Sequence, residues 1–128
     1  MLDYLKNRKI YTNTDRVPFY KIIKNYLPKN KKAKILDLGC GNGTLYEYLD
    51  LHQYENVYLL DGEKKTIEYL QRKTYGKPIH WIASENLPFS NDSVSLLHCS
   101  HMIEHLTIAD LNNLIGEGRK CHEGNTTR

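Results

Sequence analysis

The chain has 128 residues, 18 Lys and Arg against 15 Asp and Glu, and a formal net charge of +3. Hydrophobic residues at 40% and charged residues at 26% exclude a disordered chain or a strongly basic nucleic-acid coat, and the length suits one domain with its own core. Cys40, Cys99 and Cys121 match no disulfide or zinc spacing, and neither a leader-like N-terminal region nor an apolar run of roughly 18 residues is present, so the expectation is a cytoplasmic protein with reduced thiols and no membrane partner.

In chain order, Pro18 stands where a first helical turn tolerates it, Asp15 is placed to cap, and Phe19, Ile22, Ile23, Tyr26 and Leu27 recur at helical spacing until Pro28. Lys29-Asn30-Lys31-Lys32-Ala33-Lys34 reads as a solvated loop or a phosphate-binding patch. Without arginines or interleaved aromatics it does not require nucleic acid. Residues 1–33 thus form an N-terminal helical segment and a basic loop.

Lys34 to Leu38 is a short apolar run closed by glycines, which predicts a buried strand. Thr44 to Leu49 suits a helix, Val57 to Leu60 a second strand ended by Asp61-Gly62, and Lys64 to Lys73 a helix with Ile67 and Leu70 on its inner face. Strands at Ile79 to Ile82 and Val94 to Cys99 flank an irregular link from Glu85 to Asp92, and beyond Thr107 a last helix carries Ile108, Leu111, Leu114 and Ile115. The alternation predicts an α/β fold, a doubly wound and mostly parallel sheet flanked by helices, within a single domain spanning 1–128. Its core occupies 34–120 and a polar tail 121–128.

Ile35-Leu36-Asp37-Leu38-Gly39-Cys40-Gly41-Asn42-Gly43 concentrates the chemistry. A first strand ending in a glycine turn leaves backbone N–H groups free and side chains absent, the setting in which open α/β sheets bind nucleotide-like cofactors. The dinucleotide fingerprint G-x-G-x-x-G would need glycine where Thr44 stands, and an acidic residue two positions before the first glycine is no part of it. Asp37 can instead face a cationic group or organise the loop amides. A ligand-free strand-to-helix turn would leave Asp37 and Asp61 as coincidences. Cys40 is either a small residue tolerated between glycines or a thiolate favoured beside a helix N-terminus.

His101-Met102-Ile103-Glu104-His105 spells H-x-x-E-H. On a helix this would stack two histidines around a metal with glutamate as base, although a metallohydrolase would also need a third ligand and an open coordination position.

Together and in order, these stretches resemble the class I S-adenosylmethionine-dependent methyltransferases, in particular the small-molecule type 11 domain, over residues 30 to 120. That family's first motif reads hydrophobic-hydrophobic-Asp-hydrophobic-Gly-x-Gly-x-Gly, as residues 35–43 do. The resemblance implies a Rossmann-like fold, S-adenosyl-L-methionine as cofactor and no metal. Asp37, Gly39, Cys40, Gly41 and Gly43 would bind the cofactor from the first motif, and Asp61 would take both ribose hydroxyls beside Gly62. Ser84, Glu85, Asn86 and Leu87 would border the adenine, matched through Glu85-Asn86-Leu87-Pro88-Phe89. Ser100 and His101 would follow the fourth strand, where Glu104-His105-Leu106 matches the family's Glu-His-Leu.

Two residues depart from the pattern. Ala83 stands where the family has Asp, which removes a carboxylate from the adenine amino group and leaves backbone near Ser84 and Glu85 to substitute. Ser95 replaces the aspartate that often opens strand four. After the last helix the family continues through a Pro-Gly-Gly-type turn into the remaining strands of a seven-stranded sheet, whereas Gly116 to Arg128 carries no strand pattern. The expectation is a sheet lacking the C-terminal strands and exposing an edge. A truncated reading frame, a fragment completed by another chain, or a homodimer along that edge would each explain it.

The implied reaction is in-line transfer of the sulfonium methyl group to a nucleophilic oxygen, nitrogen or carbon of a small-molecule or other acceptor. The cofactor carries the hard chemistry, so the protein supplies positioning, desolvation and a base where one is needed. His101 is the candidate catalytic base or only a wall of the pocket, imidazole being the side chain that ordinarily changes charge near neutral pH. The alternative is a catalytically inactive remnant that binds the cofactor or a partner chain.

Overall fold

Ile35, Leu36, Asp37 and Leu38 are buried in β1 (Lys34–Leu38), as a strand covered on both faces of a parallel sheet must be. The computed structural model describes residues 17–99, 102 and 106–122, and arranges them around this strand. The other elements are α1 (Val17–Lys24), α2 (Thr44–Tyr48), a 3-10 turn (Leu51–Gln53), β2 (Asn56–Asp61), α3 (Lys64–Lys73), β3 (Lys77–His80), β4 (Leu96–Cys99) and α4 (Ile108–Cys121). The strands form one sheet in the order β3-β2-β1-β4, with every neighbouring pair parallel. The chain winds from β1 through β2 to β3 on one side and then crosses to β4 on the other, so the strand order reverses between β1 and β4. This is the Rossmann-like, doubly wound arrangement that the alternation of elements predicts.

Strand alternation sorts the side chains into two cores. Ile35, Val57 and Leu59 pack with Tyr20 of α1, Leu45 and Tyr46 of α2, and Ile67 and Leu70 of α3. On the opposite face Leu36, Leu38 and Leu60 pack with Leu114 and Cys121 of α4 and with Trp81, Ala83 and Leu87 of the segment after β3. Thr107 caps α4 by accepting the Asp110 N–H at 3.1 Å, and Arg119 and Lys120 occupy its last turn, where cations suit the helix dipole.

Three features differ from the sequence expectation. The first helix ends at Lys24 rather than running on to Leu27, and its inward side chains are Tyr20 and Ile23, while Phe19 and Ile22 are exposed. Both sides are apolar, and the burial of Tyr20, its ring tilted against that of Tyr48 at 5.3 Å, shows which one faces the fold. The third strand begins two residues earlier than expected, at Lys77, with Pro78 admitted because β3 is an edge strand among the described residues. The fourth begins at Leu96 rather than Val94, because the Val94 N–H turns outward to the Cys121 carbonyl at 2.9 Å while the Ser95 N–H donates inward to Lys34. Val94 thereby bridges His122 in parallel, the pairing found on the outer side of β4 among the described residues.

In the basic loop, the Lys31 ammonium donates to Gln53 Oε1 at 2.8 Å and sits 4.3 Å from the centroid of the Tyr54 ring, so this lysine helps hold the fold. No helix among the described residues is long and apolar enough to cross a membrane.

Candidate functional site

The loop after β1 turns on three glycines whose φ values, 71° at Gly39, 54° at Gly41 and 79° at Gly43, lie in the left-handed region that L side chains avoid. The Gly39 and Cys40 N–H groups both donate to the Leu60 carbonyl, at 2.8 and 3.2 Å, which fastens the loop to the end of β2. At Gly43 a Cβ would lie 2.7 Å from Tyr75 Cδ2 and 3.0 Å from Leu70 Cδ2, so the loop presses directly on these side chains. Tyr75 is itself fixed. Its hydroxyl donates to Glu47 Oε2 at 2.8 Å and its ring stacks on Tyr46 at 5.1 Å. The hydrogen bond to the Glu47 carboxylate, with burial and neighbouring charge, pushes the Tyr75 phenol pKa up to about 12.

Asp61 joins two loops. Its Oδ2 accepts the Gly41 N–H at 3.1 Å and its Oδ1 accepts the Glu63 N–H at 3.0 Å. Each carboxylate oxygen retains acceptor capacity, so the group can still receive two further hydroxyls. Next to it, a Cβ on Gly62 would stand 3.4 Å from Ile82 Cγ2, and the Asp61 carbonyl accepts the Trp81 N–H at 2.9 Å. The segment after β3 is thereby brought against the end of β2.

That segment is held by side chains. The Trp81 indole N–H lies 3.3 Å from the carbonyls of both Glu85 and Asn86, and Glu85 Oε1 accepts the Ile82 N–H at 2.9 Å. From α4, Asn113 Nδ2 donates to the carbonyls of Ala83 and Glu85 at 2.7 and 3.1 Å, and Glu117 Oε1 accepts the Leu87 N–H at 2.8 Å. The Ser84 and Asn86 N–H groups have no hydrogen-bond partner among the described residues.

Asp37 is 2% exposed and meets His98 Nδ1 at 3.0 Å across the β1–β4 pairing, where the two residues are register partners. Burial pushes the Asp37 carboxyl pKa up, the hydrogen bond and charge of His98 pull it back, and the nearby Asp61 charge raises it again. The pair lies at the reversal of strand order, one residue before the last pairing, Leu38 with Cys99. Open α/β sheets bind ligands beyond this kind of reversal, at the carboxyl ends of the strands.

The residues present fit S-adenosylmethionine. The glycine loop leaves backbone without Cβ atoms, Asp61 has acceptor capacity for a vicinal diol, and the 83–87 segment carries N–H donors without partners among the described residues. Of the residues singled out in the sequence, Gly39, Cys40, Gly41, Gly43, Asp61, Gly62, Ser84, Glu85 and Asn86 stand at or beside the carboxyl ends of β1, β2 and β3. Asp37 lies beneath, bonded to His98, and the Leu87 side chain is buried in the α4-side core. Ser100 and His101 lie outside the described residues, as do Glu104 and His105 of the H-x-x-E-H stretch. Among the described residues no cluster of three or more His, Cys, Asp or Glu could hold a metal ion.

Sequence reasoning missed His98, Trp81, Asn113 and Glu117. The first is invisible without the strand register that pairs it with Asp37. The last two left a trace: they are polar residues one turn apart on either side of Leu114, inside the inward stripe of α4.

The family model described as a methyltransferase domain matches residues 35–123. No curated protein sequence matches the chain. The fold is similar to that of a TehB-like SAM-dependent methyltransferase from Corynebacterium glutamicum (TM-score 0.76, 18% identity), over 96% of this chain and 67% of that one. It is also similar to the PH0226 protein from Pyrococcus horikoshii (TM-score 0.71, 22% identity), over 87% and 53% respectively. A third is geranyl diphosphate C-methyltransferase from Streptomyces coelicolor, solved with Mg2+, geranyl diphosphate and S-adenosyl-L-homocysteine (TM-score 0.67, 12% identity), over 83% and 42%. At these identities the likeness establishes the fold, and the chain spans from 42% to 67% of these relatives' length.

Proposed function

The chain belongs to the methyltransferase-domain family, and from that membership we propose that it binds S-adenosyl-L-methionine at the carboxyl ends of β1–β4 and methylates a small-molecule acceptor. The observation that carries this reading is the Asp61 carboxylate, which ties the Gly41 amide to the turn after β2 while keeping acceptor capacity on both oxygens. In this reading the Gly39–Gly43 backbone receives the amino-acid end of the cofactor, Asp61 accepts the ribose hydroxyls beside Gly62, and the Ser84–Leu87 segment borders the base. Asp37, braced by His98, supplies negative charge beneath a cationic ligand. Ser100 and His101 follow β4, and His101 is the candidate base. When bound, the cofactor supplies an electrophilic methyl group, while the residues around it orient the acceptor and exclude water. A small-molecule acceptor is supported by the fold relative solved with geranyl diphosphate. A cytoplasmic location is supported by cysteine spacings that match no disulfide framework.

Calorimetry on the full chain with S-adenosylmethionine and S-adenosylhomocysteine tests the reading. Wild type is expected to bind both, and Asp61→Ala and Gly39→Arg to abolish the heat. Absence of heat from wild type with either ligand overturns it. The outer side of β4, which among the described residues carries only the Val94–His122 bridge, favours a second reading, a cofactor-binding remnant without turnover that pairs there with a second copy or a complementing chain. Methyl transfer to any compound in an acceptor screen removes that second reading.

A further inference from the structure

We propose that Asn113 and Glu117 are positioning residues that set how the protein selects the base of its ligand. Both reach across from α4 and hold the 83–87 segment by its backbone. The inference rests on the cofactor reading above and goes beyond it, since it assigns base selectivity to two residues remote from every motif.

Asn113 and Glu117 stand at i and i+4, so their side chains lie on one face of α4. The Asn113 amide donates to the Ala83 and Glu85 carbonyls, at 2.7 and 3.1 Å. Four residues on, the Glu117 carboxylate accepts the buried Leu87 N–H at 2.8 Å. Glu117 is only 8% exposed, and an acidic residue is rarely so buried without a task. The bond to Leu87 is that task, with Lys120 Nζ at 3.4 Å from the other oxygen. Trp81 completes the grip from below, at the Glu85 and Asn86 carbonyls.

Hydrogen-bond accounting shows what this grip leaves over. The carbonyls of Ala83, Glu85 and Asn86 and the N–H groups of Glu85 and Leu87 are all engaged. The Ala83, Ser84 and Asn86 N–H groups are donors, and the Ser84 and Leu87 carbonyls acceptors, without partners among the described residues. Ala83 offers no polar side chain, so backbone direction carries the recognition at this edge. An N–H donor suits the lone pair on N1 of adenine and opposes the N1–H of hypoxanthine. A site built to hydrogen-bond one edge rejects its isostere strongly only while its donors are held in place.

The test compares binding of S-adenosylhomocysteine with its deaminated analogue, S-inosylhomocysteine, by calorimetry on the full chain. Wild type is expected to prefer the adenine ligand by about tenfold or more. Glu117→Gln keeps an acceptor for Leu87 and is expected to keep that ratio. Asn113→Asp, which changes almost no volume but removes both donated bonds, is expected to bring the ratio close to one, and Glu117→Leu to lower it. A general loss of stability would weaken both ligands alike and leave the ratio unchanged. If Glu117→Leu does not fold, Asn113→Asp decides alone. An unchanged ratio in folded Asn113→Asp overturns the inference while leaving the cofactor reading standing. Failure of wild type to bind either ligand overturns both.

Discussion

On the face of the sheet covered by α1, α2 and α3, the ligand loop is held by shape as well as by its backbone bonds to Leu60 and Asp61. Gly43 lies where a single added carbon would meet the Tyr75 ring at 2.7 Å, and behind it Tyr75, Tyr46 and His52 form a closed aromatic cluster. On the face covered by α4, the segment after β3 is held by side-chain hydrogen bonds to backbone, from Trp81, Asn113 and Glu117. The contrast follows from what each segment is. A tight turn at positive φ is specified by leaving atoms out, whereas an irregular segment has unpaired backbone groups that side chains must satisfy. The first should fail when an atom is added, and the second when a donor or acceptor is taken away.

The largest effect is expected from Gly43→Ala. Strain at φ 79° and overlap with Tyr75 and Leu70 should together cost about 2–5 kcal/mol in urea unfolding. A loss under half a kilocalorie would show that the glycine loop is not held by shape. On the other face Glu117→Leu strands the buried Leu87 N–H and should cost about 1–3 kcal/mol, with Glu117→Gln recovering most of it. Equal losses in the two variants would mean that charge, and not the hydrogen bond, matters there.

A third prediction concerns the Asp37–His98 pair between the two faces. Burial raises the Asp37 pKa above 3.8, so the native state holds that proton more tightly than the unfolded chain does. Its contribution to stability is fully present below about 3.8 and is lost as pH rises through the elevated native value. Asp37→Asn should therefore gain stability relative to wild type as pH increases from 3 to 7, read from thermal melts. A gap that narrows over that range contradicts the assignment. The smallest effect is spectroscopic. Tyr75 should ionise near 12 in an ultraviolet titration, and Glu47→Gln should bring that step down towards 10.

Much of the site was legible without coordinates, because its chemistry is local. Asp37, Gly39, Gly41 and Gly43 lie within one strand and its turn, and Asp61 closes the next strand. Alternating elements implied parallel strands, and parallel strands bring those ends together. The inward face of α1 is not readable from the pattern: apolar residues occur on both sides of the helix, and periodicity alone does not choose between two apolar stripes. The start of β4 is not readable from the pattern, because Val94 belongs to the strand pattern in sequence but donates outward, to the end of α4.

The sequence by itself determined the order of strands and helices, the glycine turn and the acidic residue at the end of β2, since dihedral freedom, burial and strand length are properties of short segments. Tertiary structure alone decided that His98 stands beside Asp37, that α1 turns Tyr20 inward, and that Asn113 and Glu117 hold a segment 30 residues earlier in the chain. Those depend on register and on crossovers, which place residues distant in the chain at hydrogen-bonding distance and which no local pattern encodes.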